Sequence, residues 1–108
     1  MGKKKLIYIS APITGMEDTA QERFSEAESI LHKLGYNTIN PYERNKGFAK
    51  WEDAILAGLR QLKKCDGICL CDDYKYSRGS QIERMFANGM NLETLFLDSL
   101  KNHMEDEE

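Results

Sequence analysis

At 108 residues the chain is one domain's worth, long enough to bury a single core and too short for two. Its formal net charge of -3 is too small to steer a polyanion, and Lys3-Lys4-Lys5 without interleaved aromatics reads as a solvated lead-in to a strand, so no nucleic-acid partner is expected. No stretch approaches the ~18 apolar residues of a membrane span, and no apolar signal-peptide core follows the lysines, so the expectation is a soluble cytoplasmic protein with no membrane partner.

Residues 5–10 (KLIYIS) read as a buried strand that is short, apolar, β-branched and aromatic, stopping at Ala11-Pro12. Pro12 and Gly15 form a loop. Thr19-x-x-Glu22 has the form of a capping box, after which Phe24, Ala27, Ile30, Leu31 and Leu34 recur at helical spacing until Gly35 stops the helix. Residues 36–39 (YNTI) predict a second short strand ending at Asn40-Pro41, and residues 42–50 a polar loop. From Trp51, the apolar Ala54, Ile55, Leu59 and Leu62 define a second helix ending near Lys63-Lys64, whose charges suit a helix C-terminus. Gly58 lies on or beside its apolar face, at a cost of roughly 1 kcal/mol against Ala unless something needs the space.

Residues 67–71 (GICLC) are unbroken apolar, which suits a central parallel strand covered on both faces. After Asp72-Asp73, residues 77–90 (SRGSQIERMFANGM) run from a polar, Gly-containing turn into a third helix carrying Ile82, Met85, Phe86 and Met90. That places Glu83 in the helix's first turn beside free backbone N–H groups, where Ser80-x-x-Glu83 reads equally as a capping box and as a carboxylate available for chemistry. Residues 93–97 (ETLFL) predict a fourth strand. The expected organisation is one domain over residues 1–98 and a frayed, polar acidic tail over 99–108.

Cys65, Cys69 and Cys71 form an odd, clustered set, a poor disulfide framework that reads as reduced, buried thiols. A metal site would need a fourth ligand and a usual spacing. His32 sits in a predicted helix and His103 in the polar tail, so no metal or cofactor is expected.

The strand-helix alternation predicts the α/β class: a three-layer, doubly wound, Rossmann/flavodoxin-like sandwich with a four- to five-stranded parallel sheet of order 2-1-3-4. In such sheets ligands bind beyond the carboxyl ends of the strands, near the switch point between strands one and three. The rule selects residues 10–15, the start of helix two with its upstream loop, and residues 72–83. The first loop, SAPITG, lacks G-x-G-x-x-G, no acidic residue ends strand two, and G-x-x-x-x-G-K-[ST] is absent. These absences argue against an NAD site and exclude an NTP-hydrolysing P-loop by motif, leaving a smaller nucleotide or sugar ligand.

Four features, in order, carry a resemblance: IYISAPITG at strand one, Asn40-Pro41 after strand two, LKKCD at 62–66, and S-x-G-x-x-x-E at 77–83 followed by Ala87. Over roughly residues 5–97 the chain resembles the nucleoside 2-deoxyribosyltransferase superfamily, and is similar to its small branch that includes the 2′-deoxynucleoside 5′-phosphate N-hydrolases. The resemblance implies that Glu83 is a nucleophile attacking the anomeric carbon of deoxyribose to form a covalent glycosyl-enzyme intermediate. It implies that Tyr8, otherwise readable as a core aromatic, orients that carboxylate. Ser10, Ala11, Pro12, Gly15 and Gly58 are expected around the substrate.

Ser77 matches the position where enzymes acting on free nucleosides carry aspartate and phosphate-recognising hydrolases carry serine. With the Gly79 and Ser80 N–H groups it is expected to hold a 5′-phosphate, and Arg78 and Lys75 would add positive charge. Gly58 falls where the family carries a second carboxylate that protonates the departing base. Asp53, Asp72 or Asp73 would substitute for it, each also readable as plain surface charge, and a glycine there could open room for a larger ligand.

The expected function is therefore cleavage of the N-glycosidic bond of a 2′-deoxyribonucleoside 5′-monophosphate by hydrolysis or deoxyribosyl transfer. The alternative is a protein that binds a nucleotide or ADP-ribose-like ligand without cleaving it. A homodimer or higher homo-oligomer is expected from the resemblance and from the short sheet's open edges.

Overall fold

The structure, a computed structural model, describes residues 3–44 and 50–106. Four strands, β1 (Leu6–Ser10), β2 (Asn37–Ile39), β3 (Gly67–Leu70) and β4 (Glu93–Phe96), pair in parallel in the order β2-β1-β3-β4. The helices α1 (Glu17–Lys33), α2 (Pro41–Arg44), α3 (Trp51–Leu62) and α4 (Arg78–Gly89) lie in the connections, and α5 (Leu97–Asp106) follows β4. This is the expected α/β sheet order.

The period-two alternation of β1 decides what each layer buries. Ile7 and Ile9 turn to one face, where they pack with Phe24, Ala27 and Leu31 of α1, with Cys69, and with Leu97 of α5. Tyr8 turns to the other face with Ile68, Leu70, Leu62 of α3 and Ala87 of α4. So α1 and α5 cover one side and α3 and α4 the other, a three-layer flavodoxin-like sandwich in which β3 is buried at all four positions. The three cysteines are buried and stay as thiols, none of them disulfide-bonded. The Cys69 thiol beside it, together with burial, pushes the Cys71 thiol well above its ordinary value, away from thiolate chemistry.

Local chemistry sets the helix ends, in places differently from expectation. Gly35 stops α1 as predicted: it takes φ +93°, its N–H reaches His32 O at 3.0 Å, and Tyr36 N–H reaches Leu31 O at 3.0 Å, the paired bonds of a Schellman stop. The start of α1 differs. The helix opens at Glu17 behind Met16 with no side-chain cap, and Thr19 Oγ1 donates to Met16 O at 3.4 Å instead of accepting from a helix N–H. The Thr19 capping box does not form, because the turn at Gly15 (φ +82°) has already launched the helix.

Residues 42–50, expected as a loop, include the end of a four-residue helix at Pro41–Arg44, whose Pro41 supplies a preset φ at the first helical position. Residues 45–49 lie outside the described residues. The stretch expected as a frayed tail is instead the helix α5 as far as Asp106. Leu97 and Leu100 pack on the α1 face of the sheet, and Lys101 pairs with Glu26 and with Asp72. Glu107 and Glu108 lie outside the described residues. Among the described residues no helix is long and apolar enough to cross a membrane.

Candidate active site

Ser77 has extended backbone (φ −110°, ψ 117°) and its Oγ accepts from Ser80 N–H at 3.1 Å, so Ser77 is the N-cap of α4. The helix begins three residues earlier than a Ser80 cap would place it. Glu83 therefore stands in the second turn and caps nothing, which corrects the first-turn and capping-box expectations. Ser80, Glu83 and Ala87 form the buried stripe of α4, and that stripe aims the carboxylate at β1.

Two β1 residues on one face receive it. Tyr8 Oη donates to Glu83 Oε2, and Ser10 Oγ donates to Glu83 Oε1 at 2.7 Å. Ser10 has one proton and the carboxylate is its stronger acceptor, so in the 2.9 Å contact between Ser10 Oγ and Ser80 Oγ the donor is Ser80. The hydroxyls thus form a directed relay, Ser80 to Ser10 to Glu83.

Glu83 is only 8% exposed. Burial, which disfavours the charged form, outweighs the two hydrogen bonds and pushes its carboxyl from 4.5 up to about 7. Burial and the adjacent carboxylate push the Tyr8 phenol far above its ordinary value, so Tyr8 remains a donor.

Gly58 of α3 faces this pair. A Cβ at that position would stand 2.5 Å from Tyr8 Oη and 3.0 Å from Glu83 Oε2. The glycine is what allows α3 to lie against the hydrogen-bonded pair. The space expected to admit a larger ligand is occupied by Tyr8 and Glu83, and an aspartate side chain would meet the same atoms.

A cavity of about 660 Å³ opens above the carboxylate at the carboxyl ends of the strands, with Tyr8, Ala11, Ser77, Gly79, Ser80 and Glu83 on its wall. Phe24, Tyr42, Trp51 and Ile55 make much of its apolar surface, and Lys50 and Arg78 add cations. Arg78 lies over the Trp51 ring, 4.8 Å from its centroid, tying the starts of α3 and α4 together. Of the other expected substrate residues, Ser10 lies behind Glu83 as its partner, while Pro12, Gly15 and Gly58 are not on the cavity wall.

None of the three expected substitute acids lines this cavity. Asp53 is exposed on α3. Asp72 and Asp73 lie at a second concavity near β4, where Asp72 meets Lys101 at 3.4 Å and Asp73 meets Arg23 at 2.9 Å. The carboxylate that does share the cavity with Glu83 is Glu52, in the first turn of α3. The sequence selects the start of this helix as a segment, with Trp51 as its first residue, but marks neither Trp51 nor Glu52 as a site residue. Their position directly after an upstream loop at the ligand-binding end was the available signal. Among the described residues no group of three or more His, Cys, Asp and Glu side chains is placed to hold a metal ion.

A family model described as a domain of unknown function, DUF4406, matches residues 5–96. No curated protein matches the chain. Among solved structures, the chain is similar to a 2-deoxyribosyltransferase from the psychrotolerant bacterium Bacillus psychrosaccharolyticus at 21% identity and a TM-score of 0.65, over 84% of this chain and 70% of that one. A 2-deoxyribosyltransferase from Leishmania mexicana is similar at 14% identity and a TM-score of 0.66, over 85% and 63% of the two chains. The CMP N-glycosidase BcmB of Clostridium botulinum is similar at 17% identity and a TM-score of 0.60, over 85% and 70%. At these identities the likeness is one of fold.

Proposed function

The chain belongs to the DUF4406 family, and from that premise we propose that it cleaves the N-glycosidic bond of a 2′-deoxyribonucleoside 5′-monophosphate through a covalent intermediate on Glu83. The observation that carries this reading is the buried Glu83 carboxylate at the cavity floor, held by donors on both oxygens. A carboxylate offers about four lone-pair positions, so two bonds orient it and leave electrons for attack on C1′. As the C–O bond forms, the C1′–N bond breaks and its electron pair leaves with the base. Water, or a second base, then attacks C1′ and Glu83 departs as carboxylate.

The 5′-phosphate is assigned to the α4 start. Ser80 N–H is already used by Ser77 Oγ, so the donors there are the Arg78 and Gly79 N–H groups, which no carbonyl within the helix can reach, and the Ser77 O–H. Arg78 and Lys50 supply charge. A homo-oligomer remains part of the proposal.

Chromatography of the four common deoxynucleoside monophosphates after incubation with the protein tests the reaction. Free base from at least one of them is expected, with Glu83→Ala abolishing release. No release, or release by the variant at the wild-type rate, refutes the mechanism. The closed position at Gly58 favours a second reading, binding without cleavage, whose outcome is saturable nucleotide binding in calorimetry with no base released.

A further inference from the structure

Taking the glycosidic reaction as given, we infer that Glu52 is the acid that protonates the departing base. Three observations converge on it. The place opposite Glu83 is sterically closed, because any side chain at Gly58 runs into Tyr8 Oη and Glu83 Oε2. Asp53, Asp72 and Asp73 lie off the cavity wall. Among the described residues Glu52 and Glu83 are the two carboxyl-bearing side chains that line the cavity.

Glu52 lies six residues before Gly58, in the first turn of α3, so its backbone stands about 9 Å along the helix axis from the position that faces Glu83, and its exposed side chain is on the cavity wall. In a retaining O-glycosidase the acid must reach the scissile oxygen itself, and the two carboxyl groups stand about 5–5.5 Å apart. A nucleobase is different. Its glycosidic nitrogen lone pair is delocalised into the ring, so the proton that makes it a good leaving group goes to a ring nitrogen or oxygen remote from C1′. An acid elsewhere on the same cavity wall therefore suits this leaving group.

In the step itself Glu83 Oε bonds to C1′, the C1′–N electrons pass into the base, and the Glu52 carboxyl proton moves to the base heteroatom. When water attacks C1′, Glu52 takes the water proton, the new C–O bond replaces the ester bond, and Glu83 is released ionised.

The test compares paired substrates that differ in their need for a proton: deoxyguanosine monophosphate with its 7-methyl form, and deoxyuridine monophosphate with its 5-fluoro form. In each pair the second base departs readily without an acid. Glu52→Gln is expected to slow release from the unactivated member by about 10²- to 10⁴-fold, and from the activated member by less than about tenfold. Equal loss on both members of a pair the wild type cleaves means a binding or structural role, and overturns the assignment, as does no loss on either. If the wild type releases no base from any of the four, the glycosidic reaction itself fails and the assignment falls with it. Should Glu52→Gln not fold, Glu52→Asp carries the same comparison, with a smaller loss confined to the unactivated members expected and an equal loss on both overturning it.

Discussion

Gly58→Ala is expected to destabilise the protein although alanine is the better helix former. In a helix interior the exchange gains about 1 kcal/mol. Here the new Cβ would stand 2.5 Å from Tyr8 Oη and 3.0 Å from Glu83 Oε2. Tyr8 is 1% exposed and packed among Leu62, Ile68, Leu70 and Ala87, so displacing its ring disturbs that packing. Overpacking of this kind costs about 1–3 kcal/mol. Displacing the phenol also breaks a hydrogen bond to a charged group, worth about 1.5–3 kcal/mol. The net loss expected is about 1.5–5 kcal/mol, measured by urea unfolding at a pH above 7.

Tyr8→Phe supplies the control. It removes the clashing oxygen and leaves Cζ at 3.7 Å from the new methyl, so Gly58→Ala costs less in that background, with a coupling of at least about 1 kcal/mol in the double-mutant cycle. A Gly58→Ala protein as stable as wild type or more so, or an equal cost in both backgrounds, refutes the close-approach account.

Two further outcomes test the site and the fold. Glu83 binds its proton more tightly folded than unfolded, so the stability it contributes is full below pH 4.5 and is lost as pH rises through about 7. The span between those values corresponds to about 3 kcal/mol, and subtracting the Glu83→Gln stability profile from that of wild type isolates it; a flat difference across this window contradicts the buried-carboxylate account. Leu97, 3% exposed, is expected to cost about 2–5 kcal/mol on truncation to alanine, measured by urea unfolding, whereas a cost below about 0.5 kcal/mol is what a residue outside the packed core gives.

The sheet order and the β1 strand were legible because hydrophobic runs, Gly35 and the Pro-containing loops each carry a local signal that tertiary contacts only reinforce. Glu83 and Tyr8 were legible as a pair only through the family resemblance that the order of the motifs carries. The α4 start was misread because Ser80 offers a better local capping box than Ser77; what moves the cap is the tight turn Tyr74–Tyr76 entered through Asp73 at φ +67°, which no short-range pattern announced. The α5 helix was hidden by composition, its acidic end outweighing the helical spacing of Leu97, Leu100 and Met104. What needs the space at Gly58 could not be read, since the atoms that fill it come from a strand fifty residues earlier and a helix twenty-five residues later. Glu52 became visible only when the cavity wall was assembled.

The alternation along β1 binds folding accuracy to chemistry. Tyr8 and Ser10 alternate with Ile7 and Ile9, and the pairing Tyr8 with Ile68 and Ser10 with Leu70 fixes which set meets α4. Were β1 to slip by one residue against β3, every side chain would exchange faces, and the Glu83 carboxyl would meet two isoleucines with no donor in reach. A misregistered sheet would therefore be both unstable and inert. A chain that has acquired its core has, by the same event, been proofread for its carboxylate.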